Sequence, residues 1–109
     1  MTRSNEYLVG LVKELIALPN ETGWVEFKVN NDNPEEIGEY ISALSNTASL
    51  IGKPQAYLLW GIQNDSHDIV GTEFRPGSAK VSNEELENWL LRLLAPRVYF
   101  SFYEIEIDE

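Results

Sequence analysis

Three charged side chains early in this 109-residue chain stand at a spacing that could do chemistry: Glu21, Glu26 and Lys28. Val25, Phe27 and Val29 alternate with Trp24, Glu26 and Lys28, the period of a half-buried strand. On such a strand Glu26 and Lys28 leave one face about 7 Å apart along the chain. Glu21 lies just ahead, near enough to turn back beside them. Two carboxylates and a converging ammonium could hold a divalent metal and steady the pentavalent phosphorus of phosphodiester cleavage. A metal site wants a third carboxylate, and the later turn Gln63-Asn64-Asp65-Ser66-His67-Asp68 offers Asp65 and Asp68. Gln63 and Asn64 are amides, poorer ligands for magnesium. The ordinary reading of Glu26-x-Lys28 is the solvent face of an edge strand, and it accounts for most such triplets.

The remaining candidates narrow the chemistry. No cysteine is present and His67 is the single histidine, which excludes disulfides, thiolate zinc sites and cysteine nucleophiles. His67 reads as a solvated turn residue, since it has no second histidine or cysteine with which to share a metal. Trp24, Trp60, Trp89, Tyr99, Phe100, Phe102 and Tyr103 could stack bases, but aromatics spaced along strands and a helix belong more often to a core. The net charge is −10, so non-specific adhesion to phosphate backbones or anionic lipid is disfavoured. Arg75, Lys80, Arg92 and Arg97 are the phosphate-contact candidates in the second half. No run approaches the roughly 18 apolar residues of a membrane span, and no signal-peptide core follows the N-terminus. A soluble cytoplasmic protein without a membrane partner is expected.

Elements that would position these residues follow from periodicity and punctuation. Leu8, Leu11, Val12, Leu15 and Ile16 recur at helical spacing between Asn5 and Leu18, and Pro19-Asn20 stops the run. Asn33, Pro34 and Glu36 supply the cap, N1 proline and N3 acceptor of a second helix running to about Ile51. That helix should bury Ile37, Tyr40, Ile41, Leu44, Ala48 and Ile51, with Gly52 as its stop. Its small residues from Ser42 to Ser49 would let another backbone approach. Gln55 to Ile62 holds Tyr57-Leu58-Leu59-Trp60, apolar on both faces like a central strand covered above and below. Gly61 would let the chain pass close to a neighbour, and Ile69-Val70-Gly71-Thr72 returns as a hairpin partner. Ser82 and Glu85 form a capping-box signature for a third helix ended by Ala95-Pro96, with Glu84, Glu85 and Glu87 as its solvated first turn. Val98 to Asp108 reads as a last strand that begins buried and ends one-sided. A strand of that kind normally has a hairpin partner, so the chain is expected to be the front portion of a longer protein. The order predicts one α+β domain, a mixed sheet with three flanking helices.

Taken together, four blocks carry a resemblance: Glu21-Thr22-Gly23-Trp24-Val25-Glu26-Phe27-Lys28, Ile41-Ser42-Ala43-Leu44-Ser45-Asn46-Thr47-Ala48, Leu58-Leu59-Trp60-Gly61-Ile62 and Ile69-Val70-Gly71-Thr72. Their order and spacing resemble the Schlafen-type AlbA-like domain, in which a Glu-x-x-x-x-Glu-Phe-Lys strand precedes a helix bearing Ala-x-x-Asn-Thr. An apolar strand ending Gly-Val or Gly-Ile and a turn into Val-x-Gly complete that pattern. The resemblance implies a Schlafen AlbA-like domain across residues 1–109, at the front of a bacterial, transcriptional-regulator-like protein. It implies a DNA-binding role, with Lys28, Arg75, Lys80, Arg92 and Arg97 as the contacts available here.

Eukaryotic Schlafen relatives cleave structured RNA with three acidic residues and a divalent metal. By position Glu21 and Glu26 match the first two acids and Lys28 the adjacent lysine. The third acid falls near Gln63 or Asn64, with Asp65 one step later. The alternative implied is therefore an endoribonuclease using Glu21, Glu26 and Lys28, with Mg2+ or Mn2+ on Glu21, Glu26 and Asp65; otherwise no cofactor is expected. A third alternative is a structural or homo-oligomerising module whose aromatic last strand pairs with a neighbour.

Overall fold

The computed structural model describes residues 4–18, 22–94 and 97–107. Among them three helices and two small strand pairs form an α+β domain in the order α1 (Asn5–Ile16), β1 (Val25–Lys28), α2 (Pro34–Leu50), β2 (Tyr57–Trp60), β3 (Lys80–Val81), β4 (Glu84–Glu85) and α3 (Leu86–Leu94). The helix-stopping pair Pro19-Asn20, the pair Ala95-Pro96 and the end of the expected last strand at Asp108 lie outside the described residues.

The centre is a parallel pair. β1 runs alongside β2 with Val25 opposite Tyr57, Glu26 opposite Leu58, Phe27 opposite Leu59 and Lys28 opposite Trp60. An antiparallel bridge between Ile62 and Ile69 continues the β2 end, so both pairing senses occur. Alternation sorts these side chains to two faces. Val25 and Phe27 join Val12, Leu15 and Ile62 in a core on the α1 side, with Tyr57 and Leu59 against it. Leu58 and Trp60 turn the other way, onto a second core of Ile37, Phe74, Leu86 and Leu90 between α2 and α3. β2 is apolar on both faces because both faces are covered.

The first two helices follow their local signals. Ser4 Oγ accepts from Tyr7 N at the start of α1. Asn33 Oδ1 accepts from Glu36 N at 3.0 Å to start α2. The reciprocal half of that capping box is rerouted: the Glu36 carboxylate takes Asn31 Nδ2–H at 2.9 Å, and Asn31 Oδ1 accepts Asn33 N at 3.0 Å. α2 ends at Gly52, φ +77°, where Lys53 N donates to Ala48 O and Gly52 N to Ser49 O, a Schellman closure. Ile51 lies in the helix cap, past the packed stripe, and is exposed instead of buried.

Three expectations are corrected. Ser82 and Glu85 do not cap α3: Ser82 has φ +56°, whereas an N-cap needs extended backbone. Ser82-Asn83 is the turn of the β3–β4 hairpin, so Glu84 and Glu85 are strand residues, and α3 begins at Leu86, whose N–H reaches Ala79 O. The returning segment after His67 makes one bridge and no full strand. Residues 98–107 form no strand: the Val98 N–H donates back to Leu94 O at the end of α3, and from Tyr99 to Ile107 no described backbone pairs with theirs. Phe100 and Phe102 still pack on the α2–α3 core, and Ile105 and Ile107 on the α1 core. Asn5 ties the end of this segment down by accepting from Glu106 N and donating to Glu106 O, both at 3.0 Å.

Candidate functional site

β1 directs Glu26 and Lys28 to the side opposite Val25 and Phe27, towards α2. Both are half-buried; the face read as open to solvent is roofed by a helix. α2 comes in closely because Gly23 has no side chain: a Cβ there would collide with Thr47 Cγ2. The small-residue stretch of α2 does admit another backbone, and that backbone is the entry to β1.

Beneath this roof Lys28 Nζ lies 4.6 Å from the centroid of the Tyr40 ring, within cation–π range. The Tyr40 side chain, chiefly through hydrogen bonding, holds the Lys28 ammonium above its ordinary pKa against the opposing effect of burial, and the charges of Glu26 and Glu36 add to the rise. Lys28 is a firmly protonated cation in an acidic surround, so it can hold an anion or stabilise negative charge and cannot serve as a base near neutrality. Tyr40 and Glu36 are not legible as partners in the sequence; the available signal is Tyr40 at helical spacing from Ile37, on the stripe that packs against the sheet.

The turn after β1 frames one end of the site. Asn30 Oδ1 accepts from Thr72 Oγ1 and Glu73 N, each at 2.8 Å. Asn31 O accepts the Trp60 indole N–H at 2.6 Å. Gly61, φ +92°, crosses Gly71 backbone to backbone: Val70 N and Gly71 N both donate to Gly61 O, and Gly61 N donates to Lys28 O. The expected close neighbour of Gly61 is thus Gly71.

Glu21 lies outside the described residues. Asp65 is exposed in the turn 63–68, which folds to the α1 side, since His67 in the same turn sets its ring 4.5 Å from Phe27. His67 is correspondingly half-buried, not solvated, with Nδ1 2.9 Å from Ile16 O, a bond that requires the proton on Nδ1. It fastens the turn to the end of α1. Among the described residues no three histidine, aspartate or glutamate side chains are grouped to hold a metal. Glu26 is within electrostatic reach of the Lys28 ammonium.

Of the other basic candidates, two are set against acids of β4. Arg92 donates to Glu84, at 2.5 Å through Nη2, and this bond holds its guanidinium above its ordinary pKa. Lys80 stands opposite Glu85 in the β3–β4 pair. Arg75 is exposed and donates to Thr72 O and Phe74 O at 2.9 and 3.1 Å. Arg97 is exposed beyond α3. Among the described residues Arg92–Glu84 is the one ion pair, which leaves Arg75 and Arg97 as the exposed guanidinia without an acidic partner.

No described helix is long and apolar enough to cross a membrane. No curated protein and no solved structure matches this chain. The family model described as Schlafen, AlbA_2 matches residues 21–109, the stretch that contains β1, its lysine, the roofing helix and the Gly61 crossing; the chain belongs to the Schlafen AlbA_2 family.

Proposed function

We propose that this chain is a DNA-binding domain of a transcriptional-regulator-like protein. The observation that carries the reading is membership of a nucleic-acid-related family across residues 21–109. The charge of −10 supplies no general attraction to phosphate, so contact falls to a few placed cations. Among the described residues Arg75 and Arg97 are exposed and unpaired by acids, and Lys28 is oriented by Tyr40. Binding through so few groups is weak and carries a shallow salt dependence, each phosphate contact adding roughly 0.9 to the log–log slope for duplex DNA.

Fluorescence titrations with duplex DNA, single-stranded DNA and structured RNA at low and moderate salt test this. The expected result is salt-sensitive binding with preference for duplex DNA, and Arg75→Ala lowering the slope by about 1. Absence of salt-sensitive binding to all three at tens of micromolar protein removes the reading.

A further inference from the structure

Residues 98–103 alternate between half-buried and exposed with a period of two, the pattern of an extended chain. Phe100 and Phe102 face inward, their rings 5.6 Å apart, and Phe102 also meets Trp60 and Phe74. Tyr99, Ser101 and Tyr103 face out, with Tyr99 79% and Tyr103 46% exposed. Among the described residues the backbone N–H and C=O groups from Tyr99 to Ile105 make no hydrogen bond. An anchored, extended, aromatic segment with unused backbone groups is a template for another strand.

Its sequence selects which strand. Tyr99-Phe100-Ser101-Phe102-Tyr103 reads the same in both directions. Two copies laid antiparallel about a two-fold axis at Ser101 therefore pair like with like: Tyr99 opposite Tyr103, Phe100 opposite Phe102, and Ser101 opposite itself. Every pair is repeated by the symmetry, as an isologous interface requires. Aromatic cross-strand pairs of this kind stabilise antiparallel ladders, and like charges directly opposite destabilise them. In this register Glu104 faces Val98, so no two acids of the described segment oppose each other. We infer that the segment from Val98 to Glu104 is a homodimerisation strand, its occupant being the same segment of a second copy.

The inference is independent of nucleic-acid binding, and salt separates the two. Two chains of charge −10 repel, so added salt tightens the dimer, whereas it loosens contacts to phosphate.

Sedimentation equilibrium on the chain should give a monomer–dimer equilibrium that strengthens with salt. Tyr99→Glu combined with Tyr103→Glu sets acids across the axis and should weaken the dimer by about tenfold or more. Tyr99→Lys combined with Tyr103→Glu sets opposite charges there and should restore it. Because the chain has no cysteine, Ser101→Cys offers a second readout that does not depend on those variants. Directly opposed strand residues have Cα atoms about 4.5–5.5 Å apart, within disulfide reach, so mild oxidation should cross-link this variant faster than the exposed-loop control Ser78→Cys. Monomers up to hundreds of micromolar, equal effects of the two charge combinations, or cross-linking no faster at position 101 than at 78 would each overturn the inference.

Discussion

Gly61→Ala tests whether the backbone crossing at the end of β2 holds the turn against the strand pair. Two costs fall on this substitution. Gly61 has φ +92°, where a residue with a Cβ loses about 1–2 kcal/mol. The added Cβ would also stand 3.0 Å from the Gly71 carbonyl carbon, 3.2 Å from its Cα and 3.3 Å from Thr72 N. All three are backbone atoms that cannot swing aside, and forcing such a contact costs about 1–3 kcal/mol more. Gly52→Ala isolates the first cost: Gly52 has φ +77° with nothing within 4 Å of its added Cβ. Both changes restrict the unfolded chain equally, so that effect cancels in the comparison. Urea unfolding followed by circular dichroism should show Gly61→Ala losing about 2–5 kcal/mol and Gly52→Ala about 1–2 kcal/mol, with unchanged m-values. Equal losses would mean that the Gly71 crossing yields freely, and the account of how the turn is held would be wrong.

Asn30→Ala removes the acceptor shared by Thr72 Oγ1 and Glu73 N and should lower stability by about 1–2 kcal/mol in the same urea assay; no loss would mean that water replaces both bonds. Asn33→Ala, which deletes the α2 cap, should lose about 1 kcal/mol, with helix content falling first at the N-terminal turn by hydrogen exchange. Tyr40→Phe keeps the ring over Lys28 and removes the hydroxyl, so the Lys28 pKa, read from the side-chain NMR titration, should fall back towards 10.5. Because the folded value is raised, the stability tied to Lys28 is complete below 10.5 and is lost as pH climbs through the folded value. Wild type should therefore lose stability more steeply than Tyr40→Phe in alkaline solution.

Local signals are the legible part of this fold. α1 follows its apolar spacing, and α2 follows Asn33, Pro34 and Gly52, because capping acts within a few residues. The same locality misleads at Ser82. A serine three residues before a glutamate suits a helix start and also suits a tight hairpin, and Leu86 bonding back to Ala79 O decides between them. The site is half legible for a related reason. Strand alternation puts Glu26 and Lys28 on one face, but nothing local says that α2 will cover that face, so Tyr40 and Glu36 stay hidden. His67 looks like a solvated turn residue because Phe27, which takes its ring, is far away in sequence. The two amide side chains that organise the β1 turn, Asn30 and Asn31, read only as turn formers; the Asn30 bonds to Thr72 and Glu73 depend on the tertiary fold, whereas Asn31 reaches Glu36 five residues on.

The amide of Asn5 occupies both hydrogen-bonding groups of Glu106 across 101 residues of sequence, doing with one side chain what a neighbouring strand would do with its backbone. Undocking the first turn of α1 would break both bonds that hold the Glu106 peptide groups. Solvent deuterium should enter the Glu106 amide at the rate set by that opening, which makes a single peptide group a gauge of how firmly the outermost pieces of the chain stay latched.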